Sequence, residues 1–163
     1  IFKGRIVGSG LEYKAINFVS KKTTPIFRLN FIAMEIEIFT LCDFAQDNNS
    51  KLTVVGTFDS IHSKQFPFVQ ANFSVACRLR FSEKETGAHD MRLRFTDGNK
   101  KEFIKPIEGQ MNIAKPLNGQ YSAVNLVFNF NQIKFEKAGR YSFELFIDDE
   151  WTSGLPLFIN QVS

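Results

Sequence analysis

Histidine and the common catalytic motifs are scarce in this sequence. It contains two histidines, His62 and His89, and neither lies in a G-x-S-x-G, H-E-x-x-H or phosphate-binding glycine motif. Asp90 follows His89, but neighbouring residues at the start of a strand point to opposite faces, so Asp90 is not expected to orient a catalytic base. Each histidine is expected to be a structural residue hydrogen-bonded to the backbone. We predict no catalytic residue, no cofactor and no enzymatic activity.

Cysteine is equally rare, since Cys42 and Cys77 are the only two. Each lies within an apolar strand pattern, where a free cysteine behaves as a small hydrophobic residue. Two buried thiols are favoured over one disulfide, and free thiols are typical of a reducing compartment. No stretch approaches the roughly 18 apolar residues of a membrane span, and residues 1–33 lack the apolar core of a secretory signal. These absences predict a cytoplasmic protein without a membrane partner.

The net charge of +3 is confined to the beginning of the chain. Residues 1–33 hold six Lys or Arg against one Glu, a net charge of +5, whereas residues 34–163 hold 14 basic and 16 acidic side chains, a net charge of −2. The first segment has no amphipathic period. We predict that residues 1–33 are a leader outside the natural fold and that the domain begins at Met34, the first methionine. An extra N-terminal strand pair and a flexible extension are the alternatives.

Alternation of apolar and polar residues runs through the rest of the chain. The clearest example is a strand with one entirely apolar face, formed by Phe73, Val75, Cys77, Leu79 and Phe81. Residues 35–60 are predicted to form a hairpin around a turn at residues 47–50, with a bulge or bend at Gly56. His62 is assigned to a loop, residues 106–120 to a long connection with a short edge strand, and residues 155–161 to the last edge strand.

The predicted fold is all-β. Turn signals separate about seven to eight strand segments, and no long helix interrupts them. Polar residues on one side of each strand favour one wet face per sheet. The sequence therefore predicts a two-sheet antiparallel β-sandwich.

Three stretches resemble a known family. They are LCDFAQDNNSKLTVVGTFDSI in the first hairpin, ETGAH followed by a strand and DG, and KAGRYSFELFIDDE near the end. Together they are similar to a small bacterial family called domain of unknown function 6941, over about residues 35–160. The resemblance implies an immunoglobulin-like sandwich without an assigned activity, and it supplies no catalytic residues to carry over.

Four residues are candidates for a partner or ligand surface: Asp43, Asp59, His89 and Trp151. Trp151 is the only tryptophan and is expected to be a core anchor, the alternative being an exposed platform for a sugar or a partner. Calcium would need the carboxylates around the first hairpin to meet those of residues 148–150 at one pole. Because acidic runs of this kind are usually solvated turns, no metal site is predicted.

Four arginines alternate along the two central strands: Arg78, Arg80, Arg92 and Arg94. They form one basic stripe only if the two strands are neighbours in a sheet. Since the domain is acidic overall, arginines paired with acids on a solvated face are favoured over a phosphate-binding surface. No nucleic-acid partner is predicted.

The function predicted from the sequence is a non-catalytic protein-interaction module that presents loops and one sheet edge to another protein. The alternative is a small-ligand or carbohydrate-binding sandwich that uses Trp151 and polar loops. A long uncovered edge strand favours the first function, whereas aromatic residues gathered in a concave site favour the second. The partner's identity and the oligomeric state do not follow from the sequence.

Overall fold

The computed structural model describes residues 34–117 and 120–163, which fold almost entirely into β-strands. The described elements are nine strands and one 3-10 turn: β1 (Met34–Asn48), β2 (Lys51–Phe58), β3 (Ser60–Ser63), β4 (Phe68–Ser82), the turn Glu83–Glu85, β5 (Gly87–Thr96), β6 (Ile107–Ile113), β7 (Tyr121–Phe135), β8 (Gly139–Ile147) and β9 (Glu150–Gln161). No helix in this part of the chain is long and apolar enough to cross a membrane. The prediction that residues 1–33 form a leader concerns residues outside the described part.

Two sheets form the sandwich, which confirms the predicted fold class. One has four strands in the order β2-β1-β4-β7, and the other has five in the order β3-β9-β8-β5-β6. The strand count is slightly higher than expected because Ser60–Ser63 forms a separate strand, β3. Ser60 was predicted to end the first hairpin, and His62 was predicted to lie in a loop. This strand pairs in parallel with β9, whereas every other pairing between the described strands is antiparallel.

The prediction that β9 is an edge strand is wrong, because β3 lies beside its last residues, Phe158–Gln161. Pro156 comes just before that paired stretch and has only β8 as a neighbour, opposite Ser142. A proline is tolerated at such a locally unpaired edge because it has no N–H to offer. The local signal was therefore correct, although the strand as a whole is not an edge.

Phenylalanine fills the space between the sheets. The predicted apolar face of β4 is confirmed, since all five of its members are buried: Phe73, Val75, Cys77, Leu79 and Phe81. From the five-stranded sheet, Phe95 and Phe143 stack with ring centroids 4.0 Å apart. Phe143 meets Phe130 of the other sheet at 5.1 Å. Such pairs add about 0.5–1.5 kcal/mol each beyond the area they bury.

The first hairpin bends over the outside of the four-stranded sheet. Its two-residue turn, Asn49–Ser50, has both residues at positive φ (51° and 63°), as a type I′ hairpin turn requires. Asp47 lies near the end of β1, two residues before the turn. Its carboxylate accepts a 2.9 Å hydrogen bond from the Asn125 side chain of β7, although β4 separates β1 from β7. The bend creates a small outer apolar cluster of Cys42, Ala45, Ala76, Leu52, Val54 and Val127. The expectation of a wholly wet outer face is therefore wrong here.

Both cysteines are free and buried, as predicted. Cys77 belongs to the main core and Cys42 to the outer cluster, so the four-stranded sheet lies between them. Burial raises the pKa of Cys77 to about 12. Burial, with the nearby charge of Asp43, also raises the pKa of Cys42, whose thiol donates to the Ser74 carbonyl at 3.7 Å. Neither thiol is a ready nucleophile in the folded protein.

Gly56 lies where β2 passes beneath Asp43. Its φ of +66° is left-handed, and a Cβ built on it would lie 2.2 Å from the Asp43 carboxylate oxygen Oδ2. Both the backbone conformation and the close approach therefore require glycine at this position. Gly87 is a useful contrast, because its φ is +127° but a Cβ there would meet nothing within 4 Å.

Gly56→Ala is expected to lower the free energy of unfolding by about 2–3 kcal/mol, because it adds a steric clash to the cost of positive φ. In an Asp43→Ala background the loss should fall to about 1–2 kcal/mol, because the backbone cost and the 3.3 Å approach of the Cβ of residue 43 remain. Urea denaturation of the four proteins measures this coupling. Gly87→Ala is the matched control, and its cost should not depend on residue 43. Equal costs for Gly56→Ala in both backgrounds would contradict the close approach of Asp43.

Candidate functional site

The four residues predicted for a partner or ligand surface do not form one site. Asp43 lies in β1 of the four-stranded sheet, and Asp59 lies between β2 and β3, where its carbonyl accepts a 2.8 Å hydrogen bond from the Phe158 amide. His89 in β5 and Trp151 in β9 belong to the five-stranded sheet. Within residues 34–117 and 120–163, no three His, Cys, Asp or Glu side chains are grouped to hold a metal ion.

His89 is clamped between two hydrogen-bond acceptors. Its Nδ1 lies 2.7 Å from the Asp148 carboxylate oxygen Oδ2, and its Nε2 lies 2.8 Å from the Glu85 carbonyl oxygen. Because both partners accept, both ring nitrogens must donate, and the side chain in this geometry is the imidazolium cation. The second oxygen of Asp148 accepts the Asp90 amide at 2.9 Å. The clamp therefore joins the Asp148–Asp149 turn to the start of β5.

The clamp shifts the pKa of both partners. Burial would lower the pKa of His89, but the hydrogen bonds to Asp148 and Glu85 outweigh it and raise the pKa. Burial likewise opposes the shift of Asp148, whose pKa is lowered by the hydrogen bonds from His89 and the Asp90 amide. With both nitrogens occupied, His89 has no free position from which to accept a proton from a substrate. The prediction of a structural histidine agrees with this geometry.

Asp148 is the partner that sequence reasoning missed. Asp90 does not contact the imidazole, as expected, and its carboxylate instead accepts from the Gln110 side chain at 3.1 Å. Asp148 reaches His89 because β5 and β8 are neighbours and Asp148 directly follows β8 in a left-handed turn, with φ of 51°. His89 and Asp148 are 59 positions apart in the sequence, and only the pairing of β5 with β8 brings them together.

Trp151 is exposed, so the prediction of a core anchor is wrong. Its residue exposure is 61%. The register between β8 and β9 shifts after Leu145, which pairs with Ser153, so that Phe146 pairs with Trp151. Directly opposite residues share a face, and the neighbours of Phe146 in β8 point into the core. The shift therefore turns Trp151 outward.

Phe146 and the arginines of β5 lie beside Trp151 on the outer face. The Arg92 guanidinium lies over the Phe146 ring at 4.8 Å from its centroid, and that of Arg94 at 5.9 Å. Arg92 also approaches Asp149 at 3.4 Å, while its Nε is buried without a hydrogen-bond partner. Next to it is a cleft of about 420 Å³ lined by Asp90, Met91, Arg92, Glu108, Gly109 and Asp149. Trp151 does not line this cleft.

The four arginines do not form one stripe, because β4 and β5 lie in different sheets. Arg78 and Arg80 pair with Glu37, and Arg80 also with Glu35. In the other sheet, Arg94 lies 3.3 Å from Glu144 and 3.4 Å from Glu102, and Arg92 pairs with Asp149 as described. The prediction that acids neutralise these arginines is confirmed, although most of the acids come from strands that the sequence did not identify as neighbours.

One sheet edge differs from the other three. The edges of the two sheets are β2, β3, β6 and β7. β3 has four residues, β2 carries Lys51 and the left-handed Gly56, and β6 carries Glu108 and Gly109 within seven residues. Short length, charge and backbone irregularity are the usual devices that protect an edge from pairing with another chain.

β7 lacks these devices over most of its length. It has 15 residues, and the stretch Tyr121–Asn131 contains no charged residue, proline or glycine. The regular conformation continues until Gln132, whose φ is 55°. β4 pairs with one side of β7, and no other strand of the described residues pairs with the opposite side. We name the stretch Tyr121–Asn131 the open edge.

Hydrogen bonds hold two outward side chains of the open edge, those of Asn125 and Asn129, in place. The Asn125 amide oxygen accepts from Arg78 at 2.7 Å, and its nitrogen donates to Asp47 at 2.9 Å. The Asn129 amide oxygen accepts from the Ser74 hydroxyl at 2.7 Å. Both amide side chains are therefore held by contacts within the domain.

The clamp predicts how stability depends on pH. A neutral imidazole has one N–H, so deprotonation of His89 costs it the bond to either Asp148 or Glu85. Because the folded pKa is raised, the stabilisation is complete below pH 6.5 and is lost as pH rises through the folded pKa of His89. Asp148 shows the opposite sign: its contribution is present above pH 3.8 and lost as pH falls through its lowered pKa.

Urea denaturation at a series of pH values measures this dependence. The free energy of unfolding should fall by on the order of 1 kcal/mol as pH rises above 6.5, and the partial exposure of Asp148 keeps this loss small. His89→Gln should be less stable at pH 6 and should lack this alkaline loss. His62→Gln is the control, because it removes the other histidine. An unchanged alkaline loss in His89→Gln would contradict the clamp.

Comparison with known proteins identifies a family. No curated protein matches this chain. Among solved structures, it is similar to the Pseudomonas fluorescens alkylpurine DNA glycosylase AlkC bound to DNA containing an abasic site analog, with a TM-score of 0.42 and 6% identity. The match covers 78% of this chain but only 30% of that one, and at this score it says nothing about fold or function. A model of the family of unknown function DUF6941 matches residues 37–160, which confirms the resemblance of the hairpin and C-terminal motifs. The chain belongs to the family of unknown function DUF6941.

Proposed function

We propose that this protein is a non-catalytic protein-interaction module that binds a strand of its partner along the open edge of β7. The observation that carries the proposal is the contrast between the edges: three are short, charged or irregular, and the fourth offers eleven uncharged residues in regular strand conformation. An edge of this kind is a template for strand addition. A partner strand would satisfy the backbone groups that β4 leaves unpaired.

The energetics favour such binding. Each backbone hydrogen bond of an added strand contributes about 0.5–1.5 kcal/mol net. Val124 and Leu126 pack against the core but are only partly buried at the edge, and a partner strand would cover them. Asn125 and Asn129 are already held by hydrogen bonds, so ordering them costs little conformational entropy on association.

We also propose that the sandwich is immunoglobulin-like. The strand order β9-β8-β5-β6 facing β1-β4-β7 supports this, because it corresponds to strands G, F, C and C′ facing A, B and E. A second feature is Tyr141 near the start of β8, whose hydroxyl donates to the Lys137 carbonyl at 3.3 Å. That contact has the form of the tyrosine corner found at the E–F connection of immunoglobulin-like domains. Immunoglobulin-like domains commonly mediate protein recognition, although the fold alone does not establish that role.

We assign the module to a bacterial cytoplasmic protein. The sequence resemblance supports the bacterial source, and the two free thiols fit a reducing compartment. The clamp supports the absence of a catalytic role, because both ring nitrogens of His89 are already occupied by hydrogen bonds.

Photo-crosslinking in the cells that make the protein tests the open edge. A benzophenone amino acid at Ala123, exposed on β7, should form a covalent adduct with a bound protein. The same group at Thr53, exposed on the β2 edge, is the matched control and should form none. Absence of an adduct at Ala123, or equal adducts at both positions, would overturn strand addition at β7.

The second candidate function is binding of a small ligand or carbohydrate at the outer face of the five-stranded sheet. The exposed Trp151 and the neighbouring polar cleft favour it. An exposed indole is a stacking platform for a sugar ring, and the carboxylates of the cleft can accept hydrogen bonds from sugar hydroxyl groups.

A glycan array with the full chain tests this alternative. Binding that is abolished by Trp151→Ala but kept by Phe158→Ala, an exposed aromatic on β9 away from the cleft, would support it. We expect the protein to bind no glycan, because Trp151 does not line the cleft and the neighbouring Phe146 ring is covered by Arg92. Binding that depends on Trp151 would make carbohydrate recognition the better function.

A further inference from the structure

We propose that the strand added at the open edge is the open edge of a second copy of this chain, antiparallel about a two-fold axis through Leu126. This inference rests on the proposed function, since it requires that β7 accept a strand. It adds the identity of the partner and the register. The two four-stranded sheets would then become one continuous eight-stranded sheet.

The charge distribution favours a second copy. When a strand pairs with a second copy of itself, any charge that it carries is also present on the strand opposite. Like charges that come close to each other across the pair are unfavourable. The open edge has no charged residue, so no antiparallel self-pairing within it brings like charges together. Lys134, the only charged residue of β7, lies beyond Gln132 and outside the paired stretch. Each of the other long edges carries a charge within the strand: Lys51 in β2 and Glu108 in β6.

The alternation of faces determines which registers are allowed. Directly opposite residues in antiparallel strands point to the same side of the sheet. A residue that points to the core must therefore face another that does so, which requires that an odd-numbered residue pair with an odd-numbered one, and even with even. In such a register the apolar inner faces, which include Val124, Leu126 and Phe128, continue across the junction.

The length of the open edge selects one of these registers. Tyr121 is the first residue of β7, and Gln132 leaves the regular strand conformation. Only a two-fold axis at Leu126 pairs all eleven residues from Tyr121 to Asn131. Leu126 then faces Leu126, Val124 faces Phe128, and on the outer side Ala123 faces Asn129. The resulting interface is isologous and closed, so it stops at a dimer.

The partly buried apolar residues give this arrangement its stabilisation. Val124 and Leu126 pack against the core on one side and are uncovered on the other. In the dimer Val124 gains the ring of Phe128, and each Leu126 gains its symmetry mate. Because Asn125 and Asn129 are held by Arg78, Asp47 and Ser74, the outer side of the edge keeps its conformation on pairing.

Disulfide trapping with the full-length chain tests the partner and the register together. Residues directly opposite in an antiparallel pair have Cα atoms about 4.5–5.5 Å apart, which suits a disulfide. Leu126→Cys should therefore form a disulfide-linked dimer under mild oxidation. The native Cys42 and Cys77 are buried and give the background, which is measured with the unsubstituted protein.

Two exposed positions provide a sharper control. In the proposed register, Ala123 of one copy faces Asn129 of the other. The two Ala123 positions are then six residues apart along the strands, about 20 Å at 3.4 Å per residue. Neither Ala123→Cys alone nor Asn129→Cys alone should therefore form a disulfide-linked dimer. A mixture of the two proteins should give the mixed disulfide. Both side chains are exposed, and Asn129→Cys removes the hydrogen bond from the Ser74 hydroxyl but no apolar contact of the core. A self-linked Ala123→Cys protein would overturn the register.

Light scattering of the unsubstituted protein gives an independent measurement. We expect twice the chain mass of 18.7 kDa. The double variant Ala123→Lys and Asn131→Lys places positive charge on the open edge of both copies and should restore the single-chain mass, whereas Thr53→Lys on β2 should not. A single-chain mass for the unsubstituted protein at its highest attainable concentration would overturn self-pairing.

Failure of self-pairing is distinguishable from failure of the proposed function. A single-chain mass together with an adduct of a different protein at Ala123 in cells would reject the second copy and keep strand addition. No adduct at Ala123 in cells would reject strand addition itself. An adduct of twice the chain mass supports both.

Discussion

The interlocking of phenylalanine rings between the two sheets is the constraint on which the rest of the structure depends. Phe73 and Phe130 enter from the four-stranded sheet and Phe95 and Phe143 from the five-stranded sheet, and their rings contact one another in stacked, tilted and edge-to-face pairs. Since side chains alternate along a strand, the choice of which residues point inward also decides which point outward. The inward rings thereby determine the outer faces of β4, β5, β7 and β8.

The two outer faces that result are chemically different. The outer face of the four-stranded sheet is partly closed by the bent first hairpin and its small apolar cluster. The outer face of the five-stranded sheet is open, and there aromatic rings and arginines lie side by side, as at Phe146 and Arg92. This composition is common at the centres of protein interfaces. The open edge of β7 is a third kind of surface, because it offers backbone groups rather than side chains.

Features that depend on local periodicity could be predicted from the sequence, and features that depend on strand neighbours could not. The inward face of β4 follows from alternation over a few residues, and the Asn49–Ser50 turn follows from residue types that tolerate positive φ. The orientation of Trp151 required knowledge of the register shift opposite Leu145, and a shift of one residue reverses the face of everything beyond it. The length and charge of β7 could be seen in the sequence, but its position at an edge could not.

The candidate site shows the same division. His89 was identified as a structural histidine, yet its partner Asp148 comes from a strand that no local pattern connects to β5. The arginines were expected to meet acids, and they do, but the acids are those of spatial rather than sequential neighbours. Pairing between distant strands is decided by packing of the whole sandwich. Single-strand patterns carry no information about it.

The bent first hairpin has a mechanical consequence. The hydrogen bond between Asp47 and Asn125 joins β1 to β7 directly, across the intervening β4. A tensile load on β7 is therefore carried along two routes, through the ladder to β4 and through the side-chain bond to β1. Tension at the open edge would be distributed over three strands instead of two, because β7 has a second attachment to the sheet.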